Sequence, residues 1–159
     1  MKSLIIVILF LLAGITSVFA TAQSPDKIVF ENMEYWLHSN PMESYFTMYP
    51  EKRPREGVAS SDLWRGYVAT FEFKEERLFL KDIEIEIPNE SEDDNHLTSW
   101  KSVRDDLVKE EGDDFISWFT GILILPHGES VKYVHMGYES IYSNYILLEI
   151  KEGILTGKR

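Results

Sequence analysis

Apolar and polar positions alternate along most of this chain, which is the period of half-buried β-strands. "DKIVF" and "MEYWLH" flank Glu31-Asn32 and read as a hairpin, with Met33, Tyr35 and Leu37 on one face and Glu34 and Trp36 on the other. In "RGYVATFEF", Tyr67, Ala69, Phe71 and Phe73 share a face, opposite Val68, Thr70 and Glu72. Lys74 to Glu76 turn the chain. On the return strand Leu78 and Leu80 hold one phase, whereas Ile83, Ile85 and Ile87 hold the other. A strand changes face only through an irregularity, so a β-bulge is predicted near Lys81-Asp82, before Pro88 ends the strand.

Two stretches break the alternation. In "NPMESYFTMYP", Met42, Tyr45, Phe46 and Tyr49 recur at helical spacing behind Asn40 and Pro41, which suit a helix start, so one or two turns are expected. In "TSWKSVRDDLVKE", Trp100, Val103, Leu107 and Val108 predict an amphipathic helix of about three turns. The run "FISWFTGILILP" predicts a central strand stopped by Pro126. "HGES" reads as a turn, "VKYVHM", "NYILLEI" and "ILTGK" complete the sheet, and "KEG" joins the last two. "FEFKEERLFL" and "LEIKEGILTG" look alike because both are hairpins. The expected fold class is α+β: β-rich, a mainly antiparallel sheet with one amphipathic helix.

The first twenty residues change the picture. Lys2 precedes an unbroken apolar run from Leu4 to Ala13, and small residues place cleavage after Ala20 or Ala22. That is the pattern of a signal peptide. Spanning a bilayer needs about 20 apolar residues, and Thr16 and Ser17 interrupt this stretch. The expectation is residues 1–20 as a signal peptide, 21–159 as a single β-rich domain, and a periplasmic or secreted location without membrane insertion after cleavage. There is no cysteine, so packing alone holds the domain, and thiolate metal sites and cysteine nucleophiles are excluded. The formal charge is −11, and Lys2 is the only charged residue before position 21. Such a surface repels nucleic acid and anionic membranes and suits solubility or a basic protein partner.

Candidate chemistry lies in two blocks. Trp64-Arg65-Gly66-Tyr67 precedes a strand, and Arg65 there can stack on a ring or fork onto a carboxylate. Trp64, Arg65 and Tyr67 therefore form either a recognition surface or packed rings around a structural ion pair. "KYVHMGYESIYSNY" holds four tyrosines and a histidine. His135 shares a strand face with Tyr133, and Tyr138 and Tyr142, four apart, would meet on one helical turn. His135, Tyr138 and Tyr142 read either as a patch for a sugar ring or a partner's side chain, or as rings closing a sheet edge. The blocks "LWRGYVATFEFKEERLFLKDIEI" and "WFTGILILPHGESVKYVHMGYESIY" resemble a group of small uncharacterised bacterial exported proteins. The resemblance covers about half of the chain beyond the signal and implies a bacterial source but no activity.

The remaining chemistry is sparse. His38, His96, His127 and His135 are scattered, and "ESEDDNH" and "EEGDD" lack the alternate ligands of a calcium loop, so no metal or cofactor is expected. "HGES" lacks the second glycine of a nucleophile elbow. The Asn89-Glu90-Ser91 sequon carries little meaning in a bacterial protein. The reading is thus an exported non-enzymatic binding protein, an inhibitor or immunity-type protein for a protein partner. The alternative is a cell-envelope glycan-binding module acting through exposed aromatics. An enzyme, the third reading, requires a pocket with a perturbed carboxylate or His135.

Overall fold

The computed structural model describes residues 21–58, 60–89, 97–109, 112 and 114–159. Residues 1–20, expected as a signal peptide, and most of the acidic stretch around Glu90 lie outside them. The fold is strand-rich, 51% strand against 12% helix. The strands are β1 (Asp26–Phe30), β2 (Met33–Leu37), β3 (Val68–Lys74), β4 (Arg77–Pro88), β5 (Thr98–Ser102), β6 (Gly121–Lys132), β7 (Ile141–Lys151) and β8 (Ile154–Lys158). They form one nearly closed sheet in the order β2-β1-β3-β4-β8-β7-β6, with β5 attached to β4. At the seam the His38 amide donates to the Ile124 carbonyl at 2.8 Å.

The expectation of a mainly antiparallel sheet is corrected: the sheet is mixed. β1 lies antiparallel to β2 but parallel to β3. A parallel neighbour needs a long crossover, and here it runs through β2, α1 (Pro41–Met48) and the loop up to Tyr67. Alternation reports which face a residue takes and carries no information on strand direction.

The turns follow their residues. Glu31-Asn32, Glu75-Glu76 and Glu152-Gly153 all have positive φ, from 48° to 75°. Two consecutive positive values match the right-handed twist of a tight hairpin. Gly153 is obligatory: a Cβ there would sit 2.6 Å from the Ile116 carbonyl oxygen. The bulge falls where the phase change demands it. Thr70 faces Asp82 and Phe71 faces Leu80, which leaves Lys81 without a partner. Leu78, Leu80, Ile83 and Ile85 consequently all enter the core.

Three elements depart from expectation. The strand expected over "VKYVHM" ends at Lys132, and Tyr133 to Met136 lie in the loop before β7, so His135 and Tyr133 share no strand face. The amphipathic helix over "TSWKSVRDDLVKE" is replaced by β5 and a four-residue helix, α2 (Arg104–Leu107). The far half of β4 offers an unpaired ladder there, and β5 takes it along five residues. Nonlocal hydrogen bonds have overridden the local period. The strand β6 also continues past Pro126, opposite Tyr145. Pro is tolerated because β6 has only one laddered neighbour, β7. "HGES" is part of β6, with register shifts at His127, Ser130 and Lys132, instead of a turn. Inside the sheet lie Ile28, Leu37, Phe71, Leu123, Leu125 and Leu148, and α1 closes one end with Met42 and Phe46. Among the described residues no helix is long and apolar enough to cross a membrane.

Candidate functional site

The WRGY stretch is divided by its own turn. The Gly66 amide donates back to the Leu63 carbonyl at 2.8 Å, and Gly66 takes φ 82°, which a glycine adopts freely. Trp64 is thrown outward, 68% exposed, while Arg65 and Tyr67 turn inward at 3% and 0%. Arg65 and Tyr67 are therefore interior groups, and of the three only Trp64 presents a ring to solvent.

Arg65 is the centre of a buried polar network. Its Nη2 donates to Asp26 Oδ1 at 3.2 Å and to the Ser24 carbonyl at 2.8 Å, and its Nη1 donates to the Tyr138 hydroxyl. Asp26 Oδ1 also accepts the Ala69 amide at 2.9 Å. The Tyr138 hydroxyl donates to Asn40 Oδ1 at 2.9 Å, so the Asn40 side chain is spent here and does not cap α1. The Tyr67 hydroxyl donates to Glu43 Oε1 at 2.8 Å, and Arg53 Nη2 donates to Glu43 Oε2 at 2.6 Å. Arg53 Nη1 reaches the Arg65 carbonyl at 3.2 Å, which links the two halves.

Protonation equilibria follow the geometry. Burial pushes the Asp26 carboxyl up to about 6, against the pull of Arg65 and the Ala69 amide. Burial also pushes Glu43 up, but the hydrogen bonds of Arg53 and Tyr67 outweigh it and leave that carboxyl below its ordinary value. Tyr67 is raised by burial and by the Asp26 and Glu43 carboxylates. Asp26 Oδ2 and Arg65 Nε have no hydrogen-bond partner among the described residues. Structural ion pairs perturb such values as active sites do, and the Asp26 carboxylate has no exposed surface for a substrate to reach.

The tyrosine-rich stretch meets this network at one point. Tyr138 stacks on His38 with ring centres 4.9 Å apart, and Tyr142 meets the same imidazole edge-on at 5.7 Å. Tyr142 belongs to β7 and Tyr138 to the preceding loop, so His38 joins them and no helical turn is involved. Both rings are only partly accessible. His135 lies apart, exposed, with its Nδ1 2.8 Å from the Tyr133 hydroxyl. The structure thus joins Arg65, Tyr67 and Tyr138 directly and Tyr142 through His38, and it leaves Trp64 and His135 outside.

The accessible aromatic site lies elsewhere, on the outer face of the sheet. Trp36 on β2 is 49% exposed and Trp100 on β5 is 51% exposed. They line a groove of about 350 Å³ with Lys27, Val68 and Glu84 between them. The Lys27 ammonium sits over the Trp36 ring, 5.7 Å from its centre. Glu34 is exposed on the same strand as Trp36, and Glu86 faces Trp100 across the β4·β5 ladder. Sequence reasoning missed both tryptophans. Trp36 was visible as the ring in the polar phase of β2; Trp100 was assigned to the apolar stripe of a helix that is not there. A second hollow, about 470 Å³, lies between β2 and β6 and shares Trp36 with Tyr35, His127 and Tyr142.

The groove can hold a ring or a cation by stacking; its lining carries one carboxylate, Glu84, and one ammonium, Lys27, which already covers Trp36. No cluster of three or more metal-ligating side chains occurs among the described residues. The chain matches no family model, curated protein or solved structure.

Proposed function

We propose that this is an exported, non-enzymatic binding protein whose outer sheet face receives a basic protein partner, in an inhibitor or immunity-type role. The observation that carries the reading is the pair of half-exposed tryptophans flanking Glu84. Tryptophan is enriched in binding hot spots, and the Glu84 carboxylate in the groove, with Glu34 and Glu86 on the same strands as the lining residues, suits a cationic partner. β1, β3 and β4 beneath are laddered on both sides, β2 is held by β1 and β5 by β4, so the rings stand on a supported sheet. Export rests on the signal-like start of the sequence and on the resemblance of two blocks to small exported bacterial proteins.

The test is recovery of the tagged protein from its native cell envelope across a salt series. A stoichiometric basic partner, retained at about 0.1 M salt and shed at about 1 M, is the expected result. Glu84→Lys should weaken that recovery. The glycan reading is favoured by the same two rings, since paired tryptophans also stack on sugars. It expects retention on isolated cell-wall material that resists salt and is lost in Trp36→Ala. Tyr67 has no part in such a surface, because that ring is fully enclosed.

A further inference from the structure

We infer that the partner docks by strand addition: an extended, lysine- or arginine-bearing segment pairs with the free edge of β5 and lays a cationic side chain against Trp100. This rests on the basic-partner reading above and specifies its mode. The phase of the β4·β5 ladder supplies the first argument. The Val103 amide donates to the Ile83 carbonyl at 2.9 Å, and the Asn89 amide to the Leu97 carbonyl at 3.0 Å. The register between those ends pairs Ile85 with Lys101 and Ile87 with Ser99. Antiparallel partners alternate between bonded and non-bonded pairs. Ser99 and Lys101 are therefore the residues that bond β4. The amides and carbonyls of Thr98, Trp100 and Ser102 point away from it. The Val58 amide, which takes the Glu86 carbonyl at 2.7 Å on the opposite edge of β4, agrees with this phase.

Among the described residues these outward groups belong to a strand with one neighbour: β5 pairs with β4 alone. An open edge of this kind is a template for another strand. Its side-chain face is set as well. Thr98, Trp100 and Ser102 stand on the face of Pro88, Glu86 and Glu84, their register partners. A strand added at the edge would place alternate side chains about 5 Å from the Trp100 ring. From there a lysine or arginine lies over the indole, with Glu84 in the adjoining groove. The molecule already makes this contact once, where Lys27 covers Trp36.

Charge chooses among occupants. A second copy, added edge to edge, would bring two chains of −11 together with the carboxylates of each β4 near the seam. An acidic segment would face the same Glu84 and Glu86. Only a basic strand satisfies both the edge and the face.

The probe is an alternating lysine–valine peptide of about nine residues, a strand's length, with an alternating glutamate–valine peptide as control. Amide shifts and hydrogen exchange are followed on the isotope-labelled protein. The expected result is protection of the Thr98, Trp100 and Ser102 amides by the basic peptide alone. Ser102→Pro removes one outward donor and spares the backbone bonds to β4, and it also loses the hydroxyl bond to Asp82 Oδ1. Ser102→Ala loses that same bond but keeps the amide, so binding should be abolished in Ser102→Pro and retained in Ser102→Ala, with the two variants of similar thermal stability. Trp100→Ala should weaken binding about tenfold, the size of one stacked cation with its packing. Binding confined to the tryptophan face and indifferent to Ser102→Pro would overturn strand addition while leaving the basic-partner reading intact. Failure of the peptide to bind would overturn strand addition too, and the salt-series recovery judges the reading separately. Protection of the same edge without peptide, growing with protein concentration, would make a second copy the occupant.

Discussion

Arg65 shows how much one side chain can depend on its surroundings. It is 3% exposed and its carboxylate partner Asp26 is fully enclosed. Removing one member of such a pair leaves the other charged and unpaired, at a cost of about 3–5 kcal/mol. Arg65→Met should destabilise the fold by about that much near pH 8, measured by denaturant unfolding. The deficit should shrink as pH falls, because Asp26 without its cation takes up a proton readily. The parent has its own signature. Asp26 is held at about 6 in the fold against 3.8 for a free side chain. Between those values the native state binds more protons than the unfolded chain, so the contribution of Asp26 to stability falls as pH rises through this window. Glu43, which is lowered, acts oppositely: its contribution is lost as pH falls through its folded value. A milder change is Tyr67→Phe, which deprives Glu43 Oε1 of its donor and should cost about 1–3 kcal/mol.

At the scale of elements, the bulge at Lys81 is the device with the largest consequence. It lets Leu78 and Leu80 on one side and Ile83 and Ile85 on the other all face inward. Deleting Lys81 should turn either set outward, and the chain should lose cooperative thermal unfolding; Lys81→Thr, which keeps the extra residue, should leave it intact. The hairpin turns are improvable. Glu75 and Glu76 hold positive φ without being glycine or asparagine, at about 1–2 kcal/mol each. Replacing them by Asn-Gly should raise the melting temperature by several degrees, read by calorimetry. The three hairpin turns, the bulge and α1 were legible because each is specified by neighbours within a few residues, whereas "HGES", expected as a turn, continues β6. β5 was not legible either. The spacing of Trp100, Val103 and Leu107 satisfies a helix, and only the unpaired half of β4 makes a strand the better solution.

For the whole molecule, the acidic charge and the missing cysteines were legible as constraints, and they direct attention to a basic partner. The location of the proposed binding face was not. Trp36, Lys27, Glu84 and Trp100 come from four strands, β2, β1, β4 and β5, and their approach depends on β1 lying parallel to β3. Changing Trp36 and Trp100 together to alanine should abolish partner or glycan binding and leave the melting temperature nearly unchanged, since both rings are about half in water. A large fall in melting temperature would mean that the rings support the sheet instead.

Local chemistry determined the strand phases, the hairpin turns, the bulge and the signal-like start, because each is written in consecutive residues and in the two-residue period of a pleated chain. The same information marked Arg65, Tyr67 and Tyr138 as notable without saying whether they face water. Tertiary structure decided that. Arg65 is turned inward by Gly66 and paired with Asp26, from 39 positions earlier in the chain, and Tyr138 reaches Asn40 across 98 positions. Burial is a property of what covers a side chain, and the covering residues here are distant in sequence. For that reason Arg65, Tyr67 and Tyr138 form an interior latch, Trp64 and His135 stay outside it, and the exposed pair that shares a groove is Trp36 and Trp100, which pattern alone did not mark.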